Sequence, residues 1–326
     1  MAKWQEWVLD LSKNKKMNES TRATEPQFGA QTIIAGTTSD EMVLKAKQMN
    51  AEGMRVGISY LGEHVYSRQV AREATNEWLK VIDEIATHNI DAYLSIKLSQ
   101  IGLDIEGAFC FENAQSIVEK AEKYGIYVSF DMEDYKRLDD TYHIYDRLKA
   151  HHDNLAAEVQ AYLYRSEEDI KRYDGVPLRI VRGSFNERIA VAFQTEEEIN
   201  EQFKELIKYR LDRGDFTTIA TQNREIIRFV REYVKEHDIS QNTFEFQFLY
   251  GLHEELRAQL KREGFKVAVF IPYGEDWYAY YMRRLAEHPE HLKLVKDDVI
   301  NKKTLTIAGL IAGAFVIGNW IGRRKK

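Results

Sequence analysis

A single cysteine, Cys110, among 326 residues excludes an internal disulfide and a thiolate zinc cluster, and agrees with a reducing compartment. Proline is scarce, with 4 in the chain, and no Pro/Ser-rich linker, low-complexity tract or sequence repeat divides it. The 18 glycines never stand at i and i+2, so the G-x-G-x-x-G dinucleotide fingerprint is absent, as is the G-x-x-x-x-G-K-S/T phosphate loop. None of the nine histidines falls in H-E-x-x-H, and there is no G-x-S-x-G nucleophile elbow. These absences disfavour a metal hydrolase, a P-loop ATPase and a serine esterase, and no metal is expected. Cationic charge is thin outside one end. Residues 302–326 hold six Lys/Arg and no acid, so the net −6 of the whole chain becomes −12 for residues 1–301. An acidic body offers nucleic acid no electrostatic footprint, and none is expected as a partner.

What is present fits a globular chain: 44% hydrophobic, 12% aromatic and 30% charged residues, enough to bury a sizeable core. The first 16 residues mix apolar side chains with Glu6, Asp10 and a lysine cluster, a pattern unlike a secretory leader. The other end differs. Residues 304–321 (TLTIAGLIAGAFVIGNWI) run 18 positions without a charge, between Lys302-Lys303 and the cations from Arg323 to Lys326. As a helix rising ~1.5 Å per residue, this stretch reaches about 27 Å, close to the hydrocarbon thickness of a bilayer. Trp320 stands where an interfacial aromatic would, and Gly309 and Gly313 make a GxxxG pair. The expectation is membrane contact, on the cytoplasmic side of the cell membrane; a buried terminal helix is the alternative. The expected organisation is an N-terminal helical arm (1–53), a barrel (54–300) and this tail (301–326).

In between, short β-branched or aromatic runs recur, each followed by a polar or glycine turn and a longer helix-period segment. Strands are expected over 55–60, 92–98, 126–131, 156–163, 177–181, 217–221, 243–248 and 266–271. Helices are expected over 38–50, opened by a capping box at Thr38 and Glu41, and over 196–213, opened from Thr195. Eight strands alternating with helices predict an α/β fold, a (β/α)8 TIM-like barrel; a doubly wound sheet is the rival. A barrel puts its chemistry at the carboxyl ends of the strands. Those ends read Glu63, Lys97, Asp131, Gln160, Arg182, Gln222, Gln247 and Tyr273, a polar ring where buried polarity costs ~1–3 kcal/mol per unpaired group. Either the ring is a satisfied network or it is a site.

Several segments carry chemistry of their own. Arg283-Arg284 follows Trp277, Tyr278, Tyr280 and Tyr281, an aromatic wall beside two planar forks suited to a small amino or imino acid's carboxylate. Lys97 in LSIKLSQ could add a third cation, and Glu63 a balancing acid. Asp131, ending IYVSFDMED, either caps a helix or orients Lys97 or a bound ring. Arg179 and Arg182 at i and i+3 point to opposite sides of a strand, one toward the interior and one, beside Gly183, toward a phosphate. Thr221 and Gln222 offer neutral hydrogen bonds for a ribityl or pyrophosphate chain.

Taken in order from about Phe28 to Leu294, these segments resemble the proline dehydrogenase family. The family's LGE appears as Leu61-Gly62-Glu63, its SIK(I/L)S at 95–99, its acid after the third strand as Asp131 and its QAY at 160–162. RLVKGAY becomes RIVRGSF at 179–185, ATHN becomes ATQN at 220–223, and FEFQxLxG and PYGxxWYxYxxRRLAE stand at 244–251 and 272–287.

The resemblance implies a distorted barrel holding FAD non-covalently and oxidising L-proline to 1-pyrroline-5-carboxylate by hydride transfer. It implies a membrane quinone as electron acceptor and 1-pyrroline-5-carboxylate dehydrogenase as a functional partner. Arg283, Arg284 and Lys97 would hold the proline carboxylate, Glu63 would pair with the arginines, and Tyr280 would pack on the ring. Asp131 and Arg179 would take the family's active-site positions. Met132, Gln160, Arg182, Gly183, Ser184, Thr221 and Gln222 would contact FAD. Three departures stand out: Arg182 for Lys keeps a charge, Phe185 for Tyr removes a hydroxyl, and Gln222 for His removes a proton-transfer group. A related flavin barrel reductase, or an inactive membrane-tethered binding protein, is the alternative.

Overall fold

A residue that faces the inside of a closed sheet is followed by one that faces the helices around it, so alternation along each strand decides what each layer contains. Such strands form here in the computed structural model, which describes residues 29–287 together with 15–22, 24–26, Val8 and Leu11. They are β1 (Arg55–Tyr60), β2 (Ala92–Ile96), β3 (Tyr127–Phe130), β4 (Leu155–Gln160), β5 (Leu178–Val181), β6 (Thr217–Ala220), β7 (Phe244–Leu249) and β8 (Val267–Tyr273). The sheet closes with the strands in chain order, and the assigned neighbours from β1 to β8 are parallel. Chain order without reversal excludes the doubly wound alternative, whose strand order turns back on itself.

Helices alternate with the strands: α1 (Lys15–Arg22), α2 (Ser39–Ala51), α3 (Arg68–His88), α4 (Gly107–Lys123), α5 (Tyr135–Lys149), α6 (Ser166–Arg172), α7 (Glu196–Arg213), α8 (Arg224–Glu236), α9 (Glu254–Arg262) and α10 (Trp277–Glu287). The start of α7 is capped as its sequence predicts. The Thr195 hydroxyl accepts from Glu198 N at 3.2 Å, and the Glu198 carboxylate accepts from Thr195 N. The described residues fall into two compact units, Ser39–Pro272 and a second drawn from Met1–Thr38 and Tyr273–Lys326. In the second unit α10 packs on α1. Arg22 Nη2 reaches Asp276 Oδ2 at 2.9 Å, and Trp277 Nε1 donates to the Thr24 carbonyl at 3.0 Å.

The apolar core lies between sheet and helices. Val56, Ile58, Leu94, Ile96, Val128, Phe130, Val159, Ile180, Ile219, Phe246 and Phe248 are buried without remainder, and all take the outward alternation of their strands. The inward alternation is unusually polar: Arg55, Tyr93, Ser95, Ser129, Glu158, Gln160, Arg179, Thr218, Glu245 and Gln247. Gly57 belongs to that inner face for a steric reason, since a β-carbon there would meet the Tyr93 ring at 2.5 Å.

Six of the eight strand ends differ from expectation by one to three residues, and three of these bear on candidate residues. β4 stops at Gln160 rather than 163, where the chain turns toward α6. β2 stops at Ile96, and Lys97 starts a 3-10 turn over Leu98–Gln100. β7 runs on to Leu249, which leaves Gln247 inside the barrel instead of at its mouth. Its amide donates to the Tyr93 hydroxyl, a satisfied core pair. Among the described residues no helix is long and apolar enough to cross a membrane, and the expected tail at 304–321 lies outside them.

Candidate active site

Parallel register brings the inward polar residues together. Glu158 stands beside Arg179 across β4 and β5, and Ser95 beside Ser129 across β2 and β3. Two residues further along β2 and β3, on the same face, come Lys97 and Asp131 at the carboxyl ends. The outcome is one connected network. Asp131 accepts from Ser95 Oγ and Arg179 Nη2 on one oxygen, and from Lys97 Nζ at 3.1 Å on the other. Arg179 also donates to Ser95 Oγ at 2.8 Å and through Nε to Glu158. The second oxygen of Glu158 accepts from Met132 N at 2.9 Å.

The charges in this network are unevenly settled. Burial acts to raise the Asp131 carboxyl, yet Lys97, Arg179 and the Ser95 hydroxyl hold it down to about 2. Burial wins at Glu158 and, helped by repulsion from the Asp131 charge, pushes it up to about 7 although it touches Arg179. Burial likewise opposes the charge on Arg179, and the two carboxylates outweigh it and hold the side chain firmly protonated. Asp131 is therefore a permanent anion that fixes Lys97, whose side chain keeps 18% of its surface exposed at the barrel mouth. Such a cation can receive an anionic substrate group without first moving.

A second polar linkage shapes the loop after β1. Buried Glu133 accepts from Ser99 N at 3.0 Å and from Ser99 Oγ at 2.5 Å. Ser99 in turn accepts from His64 N on its hydroxyl and from Val65 N on its carbonyl, both at 3.0 Å. Glu63 thus sits in a loop pinned to the turn that carries Lys97, and its Oε1 lies 3.9 Å from His64 Nε2.

The remaining expected positions divide by element. Gln160 ends β4, donates to the carbonyls of Met132 and Glu133 at 3.1 Å, and keeps a buried Oε1 without a hydrogen-bond partner among the described residues. Gln222, just past β6, also has a buried Oε1 without a partner among those residues. Thr221 Oγ1 accepts from Asn223 N at 3.0 Å. Arg182, Gly183 and Ser184 follow β5. Arg179 points inward and Arg182 outward, where Arg182 Nη2 meets Glu196 at 2.9 Å, as the i, i+3 spacing predicts. Gly183 has φ +86°, and a β-carbon there would fall 2.0 Å from the Tyr162 ring, so backbone and ring are in close contact. Tyr280, Arg283 and Arg284 lie on α10, where Arg284 Cζ stands 5.4 Å from the Tyr280 ring centroid, a cation–π distance at i, i+4. Cys110 is buried with its thiol directed at the Leu98 carbonyl, and burial raises its pKa, so it is no nucleophile. Among the described residues no group of three His, Cys, Asp or Glu could hold a metal ion.

A sequence profile described as proline dehydrogenase matches residues 42–296. The chain is 38% identical over 296 residues to Proline dehydrogenase 1 of Bacillus subtilis subsp. natto, covering 90% of this chain and 98% of that protein. It is 33% identical over 278 residues to Proline dehydrogenase of Deinococcus radiodurans, covering 83% and 90%. The chain belongs to the proline dehydrogenase family. Among solved structures, proline utilization A from Bdellovibrio bacteriovorus, inactivated by N-propargylglycine, superposes with a TM-score of 0.74 at 21% identity. That superposition covers 86% of this chain and 34% of the larger protein, and it bears on the fold.

Within the family frame, sequence reading missed Ser95, Glu158, Ser99 and Glu133. Ser95 and Glu158 complete the bonding of Asp131 and Arg179; Ser99 and Glu133 set the Glu63 loop. A signal for Glu158 was present. It precedes Gln160 by two in LAAEVQ, so it shares the inward face, and an acid amid an apolar strand needs a partner.

Proposed function

We propose that this chain oxidises L-proline to 1-pyrroline-5-carboxylate with FAD as bound cofactor, the first step of proline degradation to glutamate, and passes the electrons to a membrane quinone. The observation that carries this reading is the buried Lys97–Asp131–Ser95–Arg179–Glu158 network at the carboxyl ends of β2 to β5. A family member whose Asp131 is held anionic beside Lys97 at the barrel mouth is equipped for an anionic substrate.

The residues present fit the cofactor. Buried amide oxygens of Gln160 and Gln222 await a donor, as a ribityl or ring hydroxyl or imide would supply. Gly183, at a φ of +86° that glycine adopts freely, lets the turn after β5 pack directly on the Tyr162 ring, which fixes the backbone of the proposed cofactor contacts on either side. Met132, Gln160, Arg182, Gly183, Ser184, Thr221 and Gln222 are the proposed FAD contacts, with Arg179 beneath them. When bound, FAD supplies a two-electron acceptor for the hydride lost from the substrate carbon next to nitrogen.

The chain's own residues bind and orient. Lys97, Arg283 and Arg284 are the proposed ligands of the proline carboxylate, Glu63 the balancing acid and Tyr280 the surface for the ring. Asp131 holds Lys97 in place, so orientation is achieved before binding and its entropic cost is not met again in the reaction. A desolvated pocket favours the neutral amine, the form from which a hydride can depart. Product leaving the site would be the substrate of 1-pyrroline-5-carboxylate dehydrogenase. Residues 304–321 are the proposed contact with the cytoplasmic side of the membrane, beside the quinone.

Anaerobic titration of the purified chain with L-proline tests the reading. A flavin absorbance that bleaches stoichiometrically is the expected result. A folded protein that takes up no FAD, or a bound flavin that proline leaves oxidised, contradicts it. The second outcome would favour the binding-protein alternative, for which Phe185 and Gln222 are the motivating departures.

A further inference from the structure

Charges at the barrel mouth find partners, but one on the outer wall does not find enough. Helices α2 and α9 run along the outside of the sheet, and between them lies a cavity of about 410 Å³ lined by Met49, Glu52, Tyr250, Glu254, Arg257 and Lys261, among others. Arg257 is 3% exposed. Among the described residues its Nε has no hydrogen-bond partner, and Nη1 faces the Met49 thioether at 3.8 Å. Nη2 lies 3.7 Å from Glu254, beyond hydrogen-bonding distance and opposite a carboxylate that is 77% exposed. A guanidinium presents five N–H donors. A thioether, a weak acceptor, and a distant solvated acid leave most of them unmet, in a place where burial already depresses the side chain's pKa.

We propose that this cavity binds a small organic anion through its oxyanion, carboxylate or phosphate, with Arg257 as the residue that grips it. The planar fork matches either group in a bidentate manner. Arg262 on the same wall adds a further cation, giving the lining three positive groups with Lys261 against two acids at Glu52 and Glu254. Lys261 donates to the Gly53 carbonyl, which ties the end of α9 to the turn before β1. The volume falls within the range of small-molecule sites and exceeds what a single ion needs, so the anion carries an organic body that rests on Met49 and Tyr250. The site stands on the outer wall of the barrel, within the Ser39–Pro272 unit, and does not depend on proline oxidation.

The test is a thermal-shift and calorimetric titration of the full-length flavin-loaded protein, one arm with sodium phosphate and one with sodium succinate, against chloride at matched ionic strength. At least one arm should give a saturable rise in Tm, and the arm that responds identifies the oxyanion. Arg257→Met should bind the responding anion at least tenfold more weakly. It should also melt higher than wild type in anion-free buffer, because an apolar side chain of similar length replaces an unpaired buried charge. Arg257→Lys, which keeps the charge and loses the fork, serves should the first variant not fold, and should also bind more weakly. No saturable response in either arm up to about 50 mM, or binding by both variants equal to wild type, overturns the proposal.

Discussion

At the residue scale, Asp131 has the most demanding position. Three donors converge on it, and two of them are cations, Lys97 and Arg179, that it links. Asp131→Asn should therefore release Lys97 and leave Arg179 with one carboxylate. A fall in kcat/KM for proline of about 10²-fold or more is expected from steady-state kinetics, in line with the removal of one preorganised electrostatic partner. Glu158 makes the opposite kind of prediction. Its folded pKa of about 7 lies above its ordinary value, so the native state holds its proton more tightly than the unfolded chain does. Stability from this group is then greatest below the ordinary glutamate range, and is lost as pH rises through about 7. Chemical denaturation at a series of pH values should show the stability gap between wild type and Glu158→Gln changing across that window and flat above it. Asp131 gives the reverse slope at acid pH. Its contribution is complete above the ordinary aspartate range and disappears as pH falls toward about 2.

At the element scale, turns and strand ends bear the constraints. Gly183 follows β5 at positive φ with the Tyr162 ring where its β-carbon would be. Gly183→Ala should cost roughly 1–3 kcal/mol, read from thermal unfolding, and should lower flavin content. Adding Tyr162→Ala should restore part of the loss, since it relieves the collision but not the backbone strain. The cap of α7 is a milder case: Thr195→Ala removes one side of the Thr195–Glu198 exchange and should lower stability by about 1 kcal/mol. Elements were also where sequence reading did best. β1 has the boundaries its pattern predicts, and the other strands lie within a few residues of theirs, because β-branched runs flanked by turn residues report local backbone preference. β4 and β7 ended elsewhere for a reason no single strand contains. Their lengths depend on which neighbour continues to accept hydrogen bonds, and for β7 that neighbour is β8.

For the whole molecule, the barrel confines its apolar core to the space between sheet and helices and gives its interior to polar groups. That interior is costly unless each group meets a partner from another strand, and Tyr93 with Gln247, and Thr218 with Glu245, show how the lower part meets the demand. The same layout at the carboxyl end gathers the residues of the proposed site. At this scale too belongs the tail. Deleting residues 304–326 should leave flavin content unchanged and release the protein from sedimented lipid vesicles; continued pelleting would reject the membrane contact. The amino-acid sequence by itself determined the strand count, the helical spacing and the outward position of Arg182, because all follow from alternation and local propensity. It also carried Lys97, Asp131 and Arg179 in recognisable motifs. Only tertiary structure decided that these three share one network with Ser95 and Glu158, and that Gln247 belongs to the core. Strand register across a closed sheet sets which side chains meet, and register is a relation between segments that lie as far as 154 residues apart.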